Sequence, residues 1–181
     1  MNAVLTAAVA IVGALCGLNL LLMLAVLRRL RDDQQRSHDP LAERGLVPET
    51  GTRVTDFTAT TIDGDEVSTH GLDGPLLTGF FSSGCPSCRD ELPAFVRFAG
   101  ALPGGRERSL VVLAGSAEEG ADIIDAVREV SRVVVEPLRG PVESAFGVRV
   151  WPSFVVLAPD GTVSESVSGV DRLMPAQAVM R

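Results

Sequence analysis

The sequence has no Lys and no Tyr, a single Trp, two His and three Cys among its 181 residues. These shortages close off several classes of function. All sixteen basic residues are Arg, set against 23 acids for a formal net charge of −7, and that balance excludes nucleic-acid binding through a basic patch. The lack of Lys fits the codon bias of a GC-rich genome and carries no functional weight. Three cysteines are too few and too unevenly placed to staple a small disulfide scaffold. Structural zinc is also short of its four ligands. Beside Cys85 and Cys88 the folded part offers only His70, while His38 falls in a linker and Cys16 in an apolar run.

What the chain does have is concentrated at residues 75–93, PLLTGFFSSGCPSCRDELP. The apolar run Leu76, Leu77, Phe80, Phe81 reads as a buried strand. Ser82, Ser83 and Gly84 make a small-residue turn, Cys85-Pro86-Ser87-Cys88 follows, and a charged, apolar-periodic segment then reads as a helix. Cys85 therefore sits at a helix N-terminus, where unpaired N–H groups and the helix dipole favour an anion, and Arg89 adds a positive charge nearby. Such surroundings lower a thiol pKa from about 8.5 into the range of roughly 3.5–7.5. Two intervening residues put Cys88 one helical turn on, close enough to close a small disulfide ring. The spacing suits thiol–disulfide exchange. Asp90 and Glu91 read as first-turn helix charges that partly oppose Arg89, and His70 as a surface residue with no evident partner.

Residues 3–27 contain no charge and only Thr6 and Asn19 as polar interruptions. About 20 apolar residues span a bilayer, so residues 1–27 are expected to form a single transmembrane anchor. A cleaved signal peptide fits less well, because the run is long, lacks a basic leader and is not closed by an A-x-A site. Residues 28–50 carry charges of both signs and read as a juxtamembrane linker, leaving 51–181 as the folded domain. From residue 45 onward there are 11 Arg against 19 acids, a net −8 that reads as a solvated surface.

Within the domain, Val54-Thr-Asp-Phe57-Thr-Ala-Thr and Val67-Ser-Thr flank Asp63-Gly64, the signal of a hairpin. The central strand and a helix over about 88–101 come next, then a strand at 109–114 and a helix over 117–130. A short strand at 133–135, a short helix at 141–146, and strands at 153–157 and 162–167 complete the pattern. Strands and helices alternate first and a hairpin closes the chain, which predicts an α/β fold with a mixed central sheet flanked by helices.

The CxxC after a strand, Pro93 five residues beyond Cys88, and Trp151-Pro152 before a late strand together resemble the thioredoxin superfamily. The leading hairpin and VWPSFVVLAPDGTV resemble the membrane-anchored TlpA/ResA-like thiol–disulfide oxidoreductases. The opening GTRVTDFTATTIDGDEV is similar to that of peroxiredoxin-like (AhpC/TSA-like) relatives, and the anchor plus FFSSGCPSC resembles the MauD-like branch. The resemblance covers about residues 50–170. It implies a thioredoxin-like fold with an N-terminal hairpin extension behind one transmembrane helix. Cys85 would be the attacking thiol and Cys88 the resolving one. Pro152 would be a cis-proline that docks an extended substrate, with Trp151 beside it, and Pro86, Ser87, Arg89 and Pro93 would support the site. It further implies a protein disulfide or dithiol substrate, a membrane thiol electron donor, a lipid bilayer around residues 3–27, and no metal or organic cofactor. Three positions depart from the family pattern. Gly84 replaces the usual Trp before the first cysteine, Gly79 replaces a buried proton-handling acid or amide, and Trp151 is bulkier than the usual residue before the cis-proline. The final helix is short and interrupted by Pro175, so one face of the sheet is expected to be thinly covered.

Two other functions compete. A peroxiredoxin-like thiol peroxidase needs Ser or Thr three residues before its cysteine and Pro seven before it; Ser82 fits the first position, but Thr78 occupies the second. A membrane-tethered assembly factor would use the disulfide only as a staple. Membrane sidedness carries a conflict of its own. Arg28, Arg29, Arg31 and Arg36 follow the span and favour a cytoplasmic domain under the positive-inside rule. Disulfide chemistry belongs outside, since cytosolic thiols are already kept reduced. Function outweighs charge here, and the expected location is the cell membrane with an extracytoplasmic domain.

Overall fold

The computed structural model describes residues 13, 15–23, 45–70 and 72–179. The chain divides into two units, Met1–His38 and Asp39–Arg181. In the first, residues 15–23 are helical, and among the described residues no helix is long and apolar enough to cross a membrane. Most of the expected span at 3–27, and the expected linker up to residue 44, lie outside the described residues.

In the second unit the central strand is β3 (Leu76–Ser82), every residue of which is buried. A strand apolar on both faces must be covered on both. The mixed five-stranded sheet runs β5-β4-β3-β6-β7, with β4 at Ser109–Ala114, β5 at Arg132–Glu136, β6 at Ser153–Leu157 and β7 at Val163–Val167. β3–β4 and β4–β5 pair in parallel, β3–β6 and β6–β7 antiparallel. Alternation along β3 sends Leu77 and Phe81 to one face and Leu76 and Phe80 to the other. The first face packs under helix α1 (Pro86–Gly100) and helix α2 (Ala121–Val127) through Phe95, Ala99, Ile123 and Val127. The second packs against helix α3 (Pro141–Phe146) and the leading hairpin through Val142, Phe146, Phe57 and Val67. That hairpin pairs β1 (Thr58–Thr60) with β2 (Glu66–Ser68), and its loop carries Gly64 at φ 91°. Both sheet edges are occupied. Ile62 N–H donates to the Val133 carbonyl on β5, and Gly51 N–H to the Val163 carbonyl on β7, each at 2.8 Å.

Two elements differ from the sequence reading. The helix expected over 117–130 is confined to α2, because residues 117–120 form turns. Ser116 Oγ accepts the Glu119 N–H (3.2 Å), and Gly120 begins the helix where a Cβ would come within 2.4 Å of Leu113. The sheet face expected to be thinly covered is closed by the tail. A 3-10 turn at Val170–Arg172 and helix α4 (Ala176–Val179) bury Val170, Leu173 and Ala176 in the first core.

Register places the site. Phe80 on β3 lies opposite Ser153 on β6. The two residues before Ser153 therefore fall level with the end of β3, where the chain turns toward Cys85.

Candidate active site

At the end of β3 the Cys85 N–H donates to the Ser82 carbonyl (3.1 Å), closing the turn that delivers the cysteine to α1. Cys85 is the N-cap of that helix, Pro86 follows in the first turn, and Cys85 Sγ accepts the Cys88 N–H at 3.2 Å. The two cysteines form a disulfide with their Cα atoms 5.3 Å apart. Cys85 is half-buried, Pro86 and Ser87 are exposed, and Cys88 is fully buried. Of the two sulfurs, then, an incoming group reaches Cys85 first. Once reduced, a Cys85 thiolate would keep the N–H of Cys88 and the positive end of α1 beside it, which are the surroundings that favour the anion.

Arg89 turns away from a direct role as counter-ion. Its Nε and Nη2 donate to the two carboxylate oxygens of Asp122 at 2.6 and 3.1 Å, and its Nη1 donates to the Ser83 carbonyl at 3.0 Å. The hydrogen bond from Arg89 holds the Asp122 carboxyl below its ordinary 3.8. Arg89 thus ties the turn before Cys85 to α2, with its charge already matched. Glu91 accepts the Val170 N–H (3.1 Å), fixing α1 to the tail. Pro93 lies inside α1, which continues through it to Gly100. His70, for which the sequence offers no partner, pairs with Asp56 at 3.3 Å on the surface.

From the other side, the Trp151 carbonyl oxygen lies 3.6 Å from Cys85 Sγ, and the Trp151–Pro152 peptide is cis. Pro152 is buried and Trp151 half-buried, packed against both cores. The structure also accounts for the glycines. A Cβ on Gly79 would come within 3.0 Å of both Phe81 and Phe95, so aromatic rings fill the space a buried acid would need. Gly84 has nothing within 4 Å of a Cβ.

One residue of the site escapes the sequence reading. Glu143 on α3 is completely buried, and its Oε1 accepts the indole N–H of Trp151 while Oε2 accepts the Arg139 N–H at 2.7 Å. Burial pushes the Glu143 carboxyl above its ordinary 4.5, against the lowering effect of those two hydrogen bonds, and Glu136 nearby pushes the same way. Its sequence signal is the spacing within PVESAF, where Glu143 shares a helix face with Val142 and Phe146.

Fold and site together define a thioredoxin-like α/β domain with an oxidised CxxC at the N-terminus of its first long helix. Among solved structures it is similar to the thioredoxin domain of a thiol–disulfide oxidoreductase from Bacteroides vulgatus, at 20% identity and TM-score 0.56, covering 68% of this chain and 91% of that one. StoA from Bacillus subtilis matches at 22% identity and TM-score 0.53, over 67% of this chain and 91% of that one. A secreted Mycobacterium tuberculosis disulfide oxidoreductase homologous to Escherichia coli DsbE matches at 23% and TM-score 0.52, over 62% and 83%. No family model matches the sequence, and no curated protein does. At these identities the likeness establishes the fold.

Proposed function

We propose that this chain is a membrane-tethered thiol–disulfide oxidoreductase that reduces disulfides in protein substrates through Cys85 and Cys88. The observation that carries the reading is the asymmetry of the pair: an accessible Cys85 at a helix N-cap joined to a fully buried Cys88. A structural staple has no need of that asymmetry, and a single-cysteine peroxide site has no need of the second thiol. In the reaction the Cys85 thiolate attacks one sulfur of a substrate disulfide, forming a mixed disulfide and releasing one substrate thiolate. Cys88, deprotonated, then attacks Cys85 Sγ, closing the Cys85–Cys88 bond and releasing the second substrate thiol. The substrate gains two electrons and two protons. A membrane thiol donor would restore the dithiol. The Trp151-Pro152 backbone beside Cys85 would dock an extended substrate segment, Pro86 and Ser87 would shape the helix end, and Pro93 would support the site from within α1. The solved structures this chain resembles include a thiol–disulfide oxidoreductase domain and a disulfide oxidoreductase, the same class of chemistry. Membrane tethering in the MauD-like manner rests on the uncharged stretch 3–27 and on the exposed Leu18, Leu21 and Leu22 of the N-terminal helical segment.

Trapping tests the assignment of roles. Cys88→Ser should accumulate substrate-linked mixed disulfides through Cys85 on non-reducing gels, and Cys85→Ser should accumulate none. Equal trapping by both variants would reverse or abolish the distinction.

A further inference from the structure

The redox site has a second layer that the thiols themselves do not need. Trp151 meets Cys85 through its carbonyl oxygen, 3.6 Å from Sγ, and its indole N–H donates to Glu143. Glu143 in turn is anchored by the Arg139 N–H at 2.7 Å and is wholly buried. The titratable group facing it from β5 is Glu136, whose carboxylate is already spent on the N–H groups of Val142 and Glu143, at 2.9 and 2.8 Å. From the β5–α3 loop Glu143 receives the backbone N–H of Arg139, and from the lead into β6 the indole. Burial and the facing Glu136 favour the protonated form of this carboxyl, while the N–H donors to its oxygens favour the carboxylate. When the group ionises, the hydrogen bond it accepts from the indole becomes charge-assisted.

Resting on the exchange chemistry proposed above, we infer that Glu143 is a positioning residue of the redox site: it holds the Trp151 indole, and gain or loss of its proton alters how the Trp151 backbone meets Cys85. Thiol–disulfide exchange at Cys85 would then respond to pH through a group that never touches sulfur. The bonds to Trp151 and Arg139 offset the cost of an acid on the buried face of α3, and with Phe81 and Phe95 crowding Gly79, Glu143 is the buried carboxyl linked through Trp151 to Cys85.

The molecule supplies its own probe, since Trp151 is the only Trp and there is no Tyr. Emission of the oxidised full chain, followed against pH, should show a step above pH 4.5 that disappears in Glu143→Gln, which keeps one acceptor but has no proton to lose. Reduction of the Cys85–Cys88 disulfide by dithiothreitol is then timed across the same pH range. The ratio of the native rate to the Glu143→Gln rate, in which the ionisation of the reductant cancels, should change through the emission step. Glu143→Leu, which leaves the indole N–H without its acceptor, should likewise show no emission step above pH 4.5. Trp151→Phe, followed by alkylation of the freed thiols, should lose the same pH-dependent component, and it serves if the position 143 variants do not fold. An emission step that survives in Glu143→Gln, or a rate ratio that stays constant with pH, overturns the inference. A native disulfide that dithiothreitol does not reduce at all overturns the exchange reading instead, which is a separate result.

Discussion

A carboxylate at position 79, where TlpA/ResA-like proteins commonly keep a proton-handling group, has no room in this molecule. Phe81 and Phe95 stand within 3.0 Å of where its Cβ would be, and both rings are fully buried. Gly79→Asp should therefore destabilise the domain by about 3 kcal/mol or more, from overpacking plus a buried unpaired charge. Urea unfolding measures this, and an unchanged midpoint would contradict the packing described. At Glu143 the folded value is raised, so the native state holds that proton more tightly than the unfolded chain. Its stabilising contribution is fully present below pH 4.5 and is lost as pH rises through the folded value. Half-buried Glu165, also raised by burial, acts in the same direction. Stability should fall with rising pH over that window, and Glu143→Gln should flatten the slope without abolishing it, since Glu165 remains. Asp122 and Asp160, both lowered by hydrogen bonds, act oppositely, their contribution fading as pH falls below their ordinary 3.8.

α1 joins the chemistry to the core. Cys88, Leu92, Phe95 and Ala99 form its buried face, and Phe95 packs edge-on to Phe81 with centroids 5.4 Å apart and stacks on Phe154 at 5.7 Å. Phe95→Ala should cost about 3–5 kcal/mol and show as a lowered unfolding midpoint; a loss under about 1 kcal/mol would mean the helix is seated elsewhere. Elements whose signals are local are legible in the sequence. The apolar run of β3, the CxxC after it, the Asp63-Gly64 hairpin and the strand after Trp151-Pro152 each announce themselves within a few residues. What is not legible depends on distant partners. The start of α2 is set by the closeness of Gly120 to Leu113 on β4, the covering of the first sheet face by Val170 and Leu173 in the tail beyond β7, and the role of Glu143 by the return of β6 that brings Trp151 to α3. Arg89 is the instructive case. Its place beside the cysteine suggests a counter-ion for the thiolate, but only the fold reveals Asp122 in front of it.

For the whole molecule the open pairing is between domain and membrane. If the domain works outside, a membrane-impermeant thiol reagent should label Cys85 of intact cells after mild reduction. Labelling only after lysis would put the domain in the cytoplasm, the side that Arg28, Arg29, Arg31 and Arg36 favour if the uncharged stretch 3–27 is a membrane anchor. Beneath that question lies the claim on which the functional account depends, that the Cys85–Cys88 bond is made to open and close. Its reduction potential measures this most directly, by equilibrating the full chain in dithiothreitol and glutathione buffers and counting alkylated thiols. An exchange-active pair is expected above about −300 mV. A value below about −300 mV would mark the disulfide as a structural staple, and the oxidoreductase reading would be wrong.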